Sequence, residues 1–217
     1  MSQDRERAKA CNQEGLKAYA DWDLEKAVQQ FRAAIRHQPD HAEYHLNLAK
    51  TLSRAGDFDQ ALYALAEFLR LEPDAQVAER FQRLFASGMD DVESILTDKG
   101  TEENLPIEEV GAAIKMWREY RIAIGRESPA MRKPETWAAA LDYTVRKVNL
   151  HPVTQREIAE LYGISQRTLR ERFETLVQVL DVMPCDYRYF VGEQNPLDKL
   201  VEAAELLEQL ETRFREP

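Results

Sequence analysis

A repeat of 34 residues constrains the fold of this chain more than any other feature of its sequence. Shifting the sequence by 34 positions brings small and apolar residues into register across two copies, which cover residues 8–75. The matched pairs are Gly15 with Ala49, Ala27 with Ala61, Phe31 with Leu65, Ala34 with Phe68, and Pro39 with Pro73. A period of this length, with helical spacing inside it, predicts one helical hairpin per copy, each stacked on the next.

These positions resemble the tetratricopeptide repeat (TPR), which has small residues at its eighth and twentieth positions and a proline after its second helix. The resemblance implies an N-terminal superhelix of helical hairpins. Copy one departs from the pattern at Cys11 and Glu14, so we expect its first helix at the exposed end of the stack. An apolar stripe further on is interpreted as a degenerate third hairpin or a pair of capping helices. Its residues are Val77, Phe81, Leu84, Phe85, Val92, Ile95 and Leu96.

The resemblance to TPR proteins also implies a protein or peptide partner, held in a groove that the first helices of the hairpins line. In this chain the lining would be Asn12, Leu16, Tyr19, Leu46, Asn47, Lys50 and Arg54. Asn47 is similar to one residue of the two-carboxylate clamp of chaperone-binding members. Leu16 and Val77 stand at further clamp positions, so a chaperone C terminus is not expected. The alternative is that the protein's own C-terminal helix fills this groove.

Residues 154–180 begin TQREIAELYGISQRTLRERF, a pattern that predicts a helix, a tight turn and a second helix. Thr154 and Glu157 can form a capping box, Gly163 can take positive φ, and Ser165 can cap the second helix. The inner face of that helix would consist of Leu169, Phe173, Leu176 and Leu180. Two helices joined in this way are the helix-turn-helix motif of DNA-binding proteins.

The polar side chains of this motif are the candidate DNA contacts, because arginine suits guanine, glutamine suits adenine, and helix N-termini suit phosphate. They are Gln155, Arg156, Ser165, Gln166, Arg167, Arg170 and Glu171. Residues 130–174 contain 8 basic and 6 acidic side chains, a small excess in a chain of net charge −10. The alternative is a packing motif with a solvated charged face, which Glu171 and Glu174 favour.

Residues 135–180 contain WAAALDYTVRKVN followed by TQREIAELYGISQRTLRERFETL. This stretch resembles the cyclin-like repeat of the archaeal and eukaryotic general transcription factor IIB, in which an alanine-rich helix precedes a similar segment. The resemblance implies a DNA-binding ancestry for Gln155, Gln166, Arg167 and Arg170. The second cyclin repeat and the zinc ribbon of that family have no counterpart here, so the role of a general transcription factor is not implied.

Turn-forming and acidic residues at 97–105 predict a boundary between a repeat domain, residues 1–98, and a helical domain, residues 106–217. Three further helices are predicted in the second domain. One begins at Pro106 with Val110, Ile114 and Trp117 inward, one covers residues 135–150, and one follows Asn195 with Leu197, Leu200, Val201, Ala204, Leu207 and Leu210 inward. No stretch alternates with period two, so the predicted fold class is all-α.

Neither an enzyme nor a cofactor is expected, because the sequence has no glycine-rich phosphate loop and no nucleophile motif. His37, His41 and His45 are four residues apart, a spacing that suits metal binding on one helix. Pro39 breaks that helix, so no metal site is predicted.

The chain begins with a charged segment and contains no long apolar run, which favours a cytoplasmic protein that does not bind membranes. The predicted function is a TPR protein-interaction module joined to a DNA-binding helix-turn-helix, acting as a regulator. The alternative is a scaffold or adaptor that binds no nucleic acid. A protein or peptide ligand is the expected partner, with double-stranded DNA and a homodimer left open.

Overall fold

The computed structural model describes residues 2–82, 89–126, 133–193, 195–198 and 201. Every regular element among these residues is a helix, which confirms the predicted all-α class. The helices are α1 Ser2–Ala20, α2 Leu24–His37, α3 Ala42–Arg54, α4 Phe58–Leu71, α5 Ala75–Gln82, α6 Asp91–Glu102, α7 Ile107–Ala123, α8 Pro134–Val148, α9 Gln155–Leu161 and α10 Gln166–Leu180.

The two copies of the repeat form hairpins, α1 with α2 and α3 with α4, whose turns are built alike. Asp23 and Asp57 occupy equivalent positions, and each accepts a hydrogen bond from a backbone N–H three residues ahead at 3.1 and 3.2 Å. The residue before each aspartate has positive φ, 60° at Trp22 and 84° at Gly56. In both copies, a residue with positive φ therefore follows the first helix, and the next residue, an aspartate, caps the second helix.

The positions that define the repeat form the core of these hairpins. Ala27, Ala49 and Ala61 are completely buried, as are Leu65 and Phe68. The three alanines let neighbouring helices approach closely. The spacing of small residues in the sequence therefore indicated where the helices contact each other. The hairpins are thus observed, whereas membership of the TPR family stays a prediction.

The chain divides into two compact units, and the division differs from the predicted ranges 1–98 and 106–217. Unit 1 contains residues 1–90 and 117–132, and unit 2 contains residues 91–116 and 133–217. Each unit therefore consists of two separate segments of the chain. The observed units differ from the predicted domains because of where α6 and α7 pack.

Helix α6 continues through Glu102, past the point where apolar periodicity stops in the sequence. The hydroxyl groups of Thr97 and Thr101 donate to backbone carbonyls one turn earlier, both at 2.8 Å, so these polar residues remain helical. Val92 and Leu96 are buried where α6 packs in unit 2, whose central helix is α8. The interpretation of α6 as a cap on the repeats is therefore wrong. Two residues of the same predicted stripe, Leu84 and Phe85, lie outside the described residues.

Helix α7 is buried on several sides, and its two halves belong to different units. Ala113 and Met116 are fully buried in unit 2, whereas Trp117 and Ile122 are buried in unit 1. The indole N–H of Trp117 donates to Asp90 at 2.9 Å. Trp117 is buried, as predicted, but it belongs to unit 1 and not to the predicted C-terminal domain. A helix that is apolar on more than one side has no single stripe from which its neighbours can be inferred.

Unit 2 is organised around α8, in which Trp137, the three alanines at 138–140 and Leu141 are buried. The segment after α10 is irregular and is tied back to the end of α8 by Asn149, which donates to the carbonyl of Tyr189 at 3.1 Å and accepts from Val191 N–H at 2.9 Å. A further helix begins after Asn195, whose side chain accepts from Leu197 N–H at 2.9 Å. Its predicted inner positions Leu200, Ala204, Leu207 and Leu210 lie outside the described residues.

Across the described ranges, none of the helices combines the length and hydrophobicity that crossing a bilayer requires.

Candidate nucleic-acid interface and partner groove

The segment with the predicted DNA contacts begins with the capping box expected at Thr154. The Thr154 N–H donates to a carboxylate oxygen of Glu157 at 2.7 Å, and the Glu157 N–H donates to the Thr154 hydroxyl at 3.3 Å. These hydrogen bonds satisfy backbone donors that the first turn of a helix leaves unpaired. The Thr154 N–H and the Thr154 hydroxyl both donate to the Glu157 carboxylate, which holds its pKa below the usual value.

A short turn joins α9 to α10 and uses the left-handed conformation predicted for Gly163, whose φ is 64°. The N–H of Ile164 donates to the carbonyl of Ala159 at 2.9 Å, which closes the end of α9. Ser165 then caps α10 by accepting from the N–H of Thr168 at 3.1 Å. Each residue expected to shape this turn therefore does so.

A buried polar network fixes α9 against α8. Asp142 on α8 is fully buried and accepts a hydrogen bond from the Tyr162 hydroxyl at 3.0 Å. Its other carboxylate oxygen pairs with the guanidinium of Arg146, one turn further along α8. Burial, together with the neighbouring carboxylate, raises the pKa of Tyr162 far above its ordinary value, so the hydroxyl keeps its proton and remains a donor.

The inner face of α10 packs as the sequence pattern predicts. Leu169, Leu176 and Leu180 are buried, and Phe173 makes an edge-to-face contact with Tyr143 at 5.0 Å between ring centroids. The guanidinium of Arg172 lies 4.7 Å from the ring centroid of Trp137. Arg172 therefore points towards α8. It does not share a face with the exposed arginines of α9 and α10.

The outer face presents Arg156, Arg167 and Arg170, with side chains 74%, 82% and 59% exposed. Gln166 is exposed as well, Gln155 is half-buried, and the hydroxyl of Ser165 is used in capping. Each arginine faces a glutamate four residues later. Arg156 pairs with Glu160 at 2.8 Å, Arg167 with Glu171 at 2.9 Å, and Arg170 with Glu174 at 3.8 Å.

Because each arginine is paired with a glutamate, the net charge of this outer face is close to zero in the absence of a ligand. The hydrogen bond from Arg167 holds the pKa of the Glu171 carboxyl below its usual value, so this glutamate stays charged. Glu160 was missed as part of the candidate site, although arginine and glutamate four residues apart on one helix are neighbours. Reading each arginine together with the residue four positions later would have found it.

The predicted partner groove is partly filled by the protein's own chain. Glu43, Leu46 and Lys50 share one face of α3, and Leu46 is only 1% exposed. Gly125 lies so close that a Cβ atom added there would be 2.6 Å from the ammonium of Lys50 and 3.6 Å from Leu46. Arg126 then forms an ion pair with Glu43 at 3.3 Å.

Residues 122–126 therefore cover the face that copy two was expected to offer to a partner. The alternative of a self-occupied groove placed the C-terminal helix here. Among the described residues it is the end of α7 that lies here, where Ile122 joins the core that contains Leu46. Most of the C-terminal helix lies outside the described residues. Arg126 extends the contact by pairing with Glu72 at 2.7 Å.

The remaining groove residues are largely engaged with one another. Asn47 donates to Asn12 at 3.0 Å. The guanidinium of Arg54 lies between two aromatic rings, 4.6 Å from the centroid of Tyr19 and 3.7 Å from that of Trp22, and Arg54 is only 8% exposed. Leu16 is exposed, so copy one retains the open part of the predicted groove.

The three histidines that are four residues apart in the sequence, His37, His41 and His45, have separate contacts. His45 lies 2.8 Å from the carbonyl of Pro39, His41 stacks on Tyr44, and His37 is 3.9 Å from Asp4. Within the described ranges, no three histidine, cysteine or acidic side chains come together as ligands for a metal ion.

No family model matches the chain, and no solved structure matches it. The chain is similar to the uncharacterized protein YccF of Bacillus subtilis (strain 168), with 30% identity over 127 residues. The aligned part is 57% of this chain and 35% of YccF, so the chain matches about a third of the length of that relative.

Proposed function

We propose that this chain is a regulatory protein in which the helical hairpins bind a protein partner and α9 with α10 bind double-stranded DNA. The proposal combines the resemblance of residues 8–75 to TPR hairpins with the resemblance of residues 154–180 to a helix-turn-helix. The observation that supports the DNA-binding part best is the exposure of Gln166, Arg167 and Arg170 along the first two turns of α10.

The chemistry of these side chains suits a major-groove contact. An arginine can donate two hydrogen bonds to guanine, and a glutamine can do the same with adenine through a donor and an acceptor. Arg156, on the preceding helix, suits a phosphate. Because Leu169 is buried, α10 cannot rotate freely, and Arg167 and Arg170 keep their outward direction.

DNA must compete with the glutamates that face these arginines. An exposed ion pair four residues apart on a helix stabilises it only slightly, because solvent screens both charges. A phosphate contact adds the release of a condensed counterion to the charge interaction. We therefore expect the pairs to open on binding and the affinity to be modest and strongly salt-dependent.

The second candidate function is a scaffold or adaptor that binds no nucleic acid. The near-neutral outer face of α9 and α10 supports it, together with the net charge of −10. Under this alternative the two helices serve only as a packing unit on α8.

Fluorescence anisotropy of a labelled duplex, measured against salt concentration with the full chain, separates the two candidates. The wild-type protein should lose affinity steeply as salt rises. The double variant Arg167→Ala, Arg170→Ala should bind more weakly, and its slope of log K against log salt should fall by about two. The matched control is Lys9→Ala, Arg70→Ala, which removes two exposed cations that are also paired with glutamates.

Equal and weak binding by the wild type and the Arg167→Ala, Arg170→Ala variant at low salt would favour the adaptor. A loss of binding in the Lys9→Ala, Arg70→Ala control as large as in the test variant would show non-specific attraction. In either case the DNA-binding part of the proposal fails.

A further inference from the structure

An apolar groove between α2 and α4 was not anticipated from the sequence. Its floor is formed by Ile35, Leu48, Leu52 and Ala64, and its volume is about 510 Å³. Tyr63 stands at its edge with 77% of its surface exposed. We refer to this feature as the α2–α4 groove. An exposed aromatic ring beside apolar side chains is typical of an interaction surface.

The rim of the α2–α4 groove carries an excess of positive charge. Arg32 donates a hydrogen bond to the neutral Gln60, which in turn donates to Asp57, so Arg32 forms no direct ion pair with a carboxylate among the described residues. Arg36 is exposed, and it has no ion pair with a carboxylate in the described part of the chain. Glu67, the acidic residue of the lining, already accepts two hydrogen bonds from Arg70 at 2.8 and 3.0 Å. The rim therefore differs in sign from the chain as a whole, whose net charge is −10.

We infer that the α2–α4 groove binds an acidic amphipathic helix presented by a partner protein. The inference rests on the proposed protein-binding role of the hairpins and assigns a surface to it. Apolar side chains three and four residues apart on such a helix would fill the groove over Leu48 and Leu52 and contact Tyr63. Glutamates beside that stripe would reach Arg32 and Arg36.

A helix fits this surface better than an extended peptide. Peptides that bind as strands need the unpaired edge of a sheet, and the described residues of the hairpins contain only helices. The walls of the groove are themselves two helices, whose side chains form the ridges between which a third helix packs. Within the described ranges no segment covers this groove, whereas residues 122–126 cover one face of α3.

Binding of a fluorescent peptide to the full-length chain tests the inference. The probe is a designed helix of about five turns, with leucines three and four positions apart and glutamates elsewhere. A second peptide has lysine in place of every glutamate. We expect the acidic peptide to bind and the basic peptide to bind at least about tenfold more weakly, because the charges at the rim attract glutamates and repel lysines.

Three variants locate the binding site. Tyr63→Ala should weaken binding of the acidic peptide by about tenfold or more, since aromatic anchors dominate such interfaces. Arg36→Glu should weaken the acidic peptide and improve the basic one. Lys26→Glu changes an exposed cation on α2 outside the groove and should leave both affinities within about twofold. Because Tyr63, Arg36 and Lys26 are exposed, circular dichroism should show unchanged helicity in all three variants.

Equal binding of both peptides, or equal effects of Arg36→Glu and Lys26→Glu, would overturn the inference. So would concentration-dependent self-association that Tyr63→Ala abolishes, because the groove would then hold a second copy of this chain. A natural partner whose capture is lost with Leu16→Glu but kept with Tyr63→Ala would place binding in copy one. That result would reject the α2–α4 groove while leaving the protein-binding function intact.

Discussion

At the scale of single residues, Asp142 connects the candidate DNA-binding helices to the core of unit 2. Its buried carboxylate has two partners, the hydroxyl of Tyr162 and the guanidinium of Arg146. A buried carboxylate that loses a partner keeps its desolvation cost, so the network is sensitive to small changes.

We expect Tyr162→Phe to lower the free energy of unfolding by about 1–3 kcal/mol, because the substitution removes one hydrogen bond to buried Asp142 and leaves the ring in place. Urea denaturation measures the change. Tyr63→Phe removes an exposed hydroxyl and is the matched control, with an expected change within about 0.5 kcal/mol. Equal effects of the two substitutions would mean that the network contributes no stability.

The sequence pattern predicted the residues that act on their immediate neighbours and missed those that act across the chain. Thr154, Gly163 and Ser165 have their expected roles, because caps and turns depend on residues two to four positions away. The partnership of Tyr162 with Asp142 joins residues 20 positions apart, and the close approach of Lys50 to Gly125 joins residues farther apart still. Neither contact has a periodic signature.

At the scale of elements, the capping box of α9 links the candidate interface to pH. The pKa of Glu157 is lower in the folded protein than its ordinary value, because the Thr154 backbone and hydroxyl donate to the carboxylate. The folded state therefore favours the ionised form. The resulting stabilisation is complete above the unfolded pKa of about 4.3 and is lost as pH falls through the lower, folded pKa.

We expect Glu157→Gln to destabilise the protein at neutral pH and to have a progressively smaller effect below about pH 4. Urea denaturation of the wild type and the variant across this range measures the difference. Thr154→Ala, which removes the hydroxyl, should cost about 1 kcal/mol at neutral pH. A Glu157→Gln effect that stays constant down to acidic pH would show that the charge of Glu157 does not contribute.

The helices themselves were predicted well, whereas the assignment of helices to units was not. The repeat identified α2 and α4, and an apolar stripe identified α10, and each of these helices buries one face. Helix α7 is buried on several sides, so its sequence could not show which neighbour each residue contacts. The candidate DNA contacts were located from the pattern of α9 and α10, which also showed Glu171 and Glu174 but missed Glu160, the partner of Arg156.

At the scale of the whole molecule, α7 contributes to the cores of both compact units. Ile122 lies in the core of unit 1 and is 1% exposed, whereas Ile107, at the start of the same helix, is 77% exposed. These two isoleucines allow one substitution to be compared in two surroundings.

Ile122→Ala should lower the free energy of unfolding by about 2–5 kcal/mol, because it leaves a cavity beside Leu46 in the covered face of α3. Ile107→Ala should change it by no more than about 0.5 kcal/mol. Both are measured by denaturant unfolding of the full chain. If Ile122→Ala were as mild as Ile107→Ala, residues 122–126 would not be an integral part of the hairpin core.

Segments of the two units alternate along the chain, and this order limits how related genes could exchange one unit by recombination. Residues 91–116 interrupt unit 1, and residues 117–132 return to complete it. A single crossover in the loop after α6 would transplant the hairpins without the segment that covers Leu46 and pairs with Glu72. Exchange of the hairpins between related genes would require two breakpoints or compensating changes in α7, so we expect the two units to be inherited as one block.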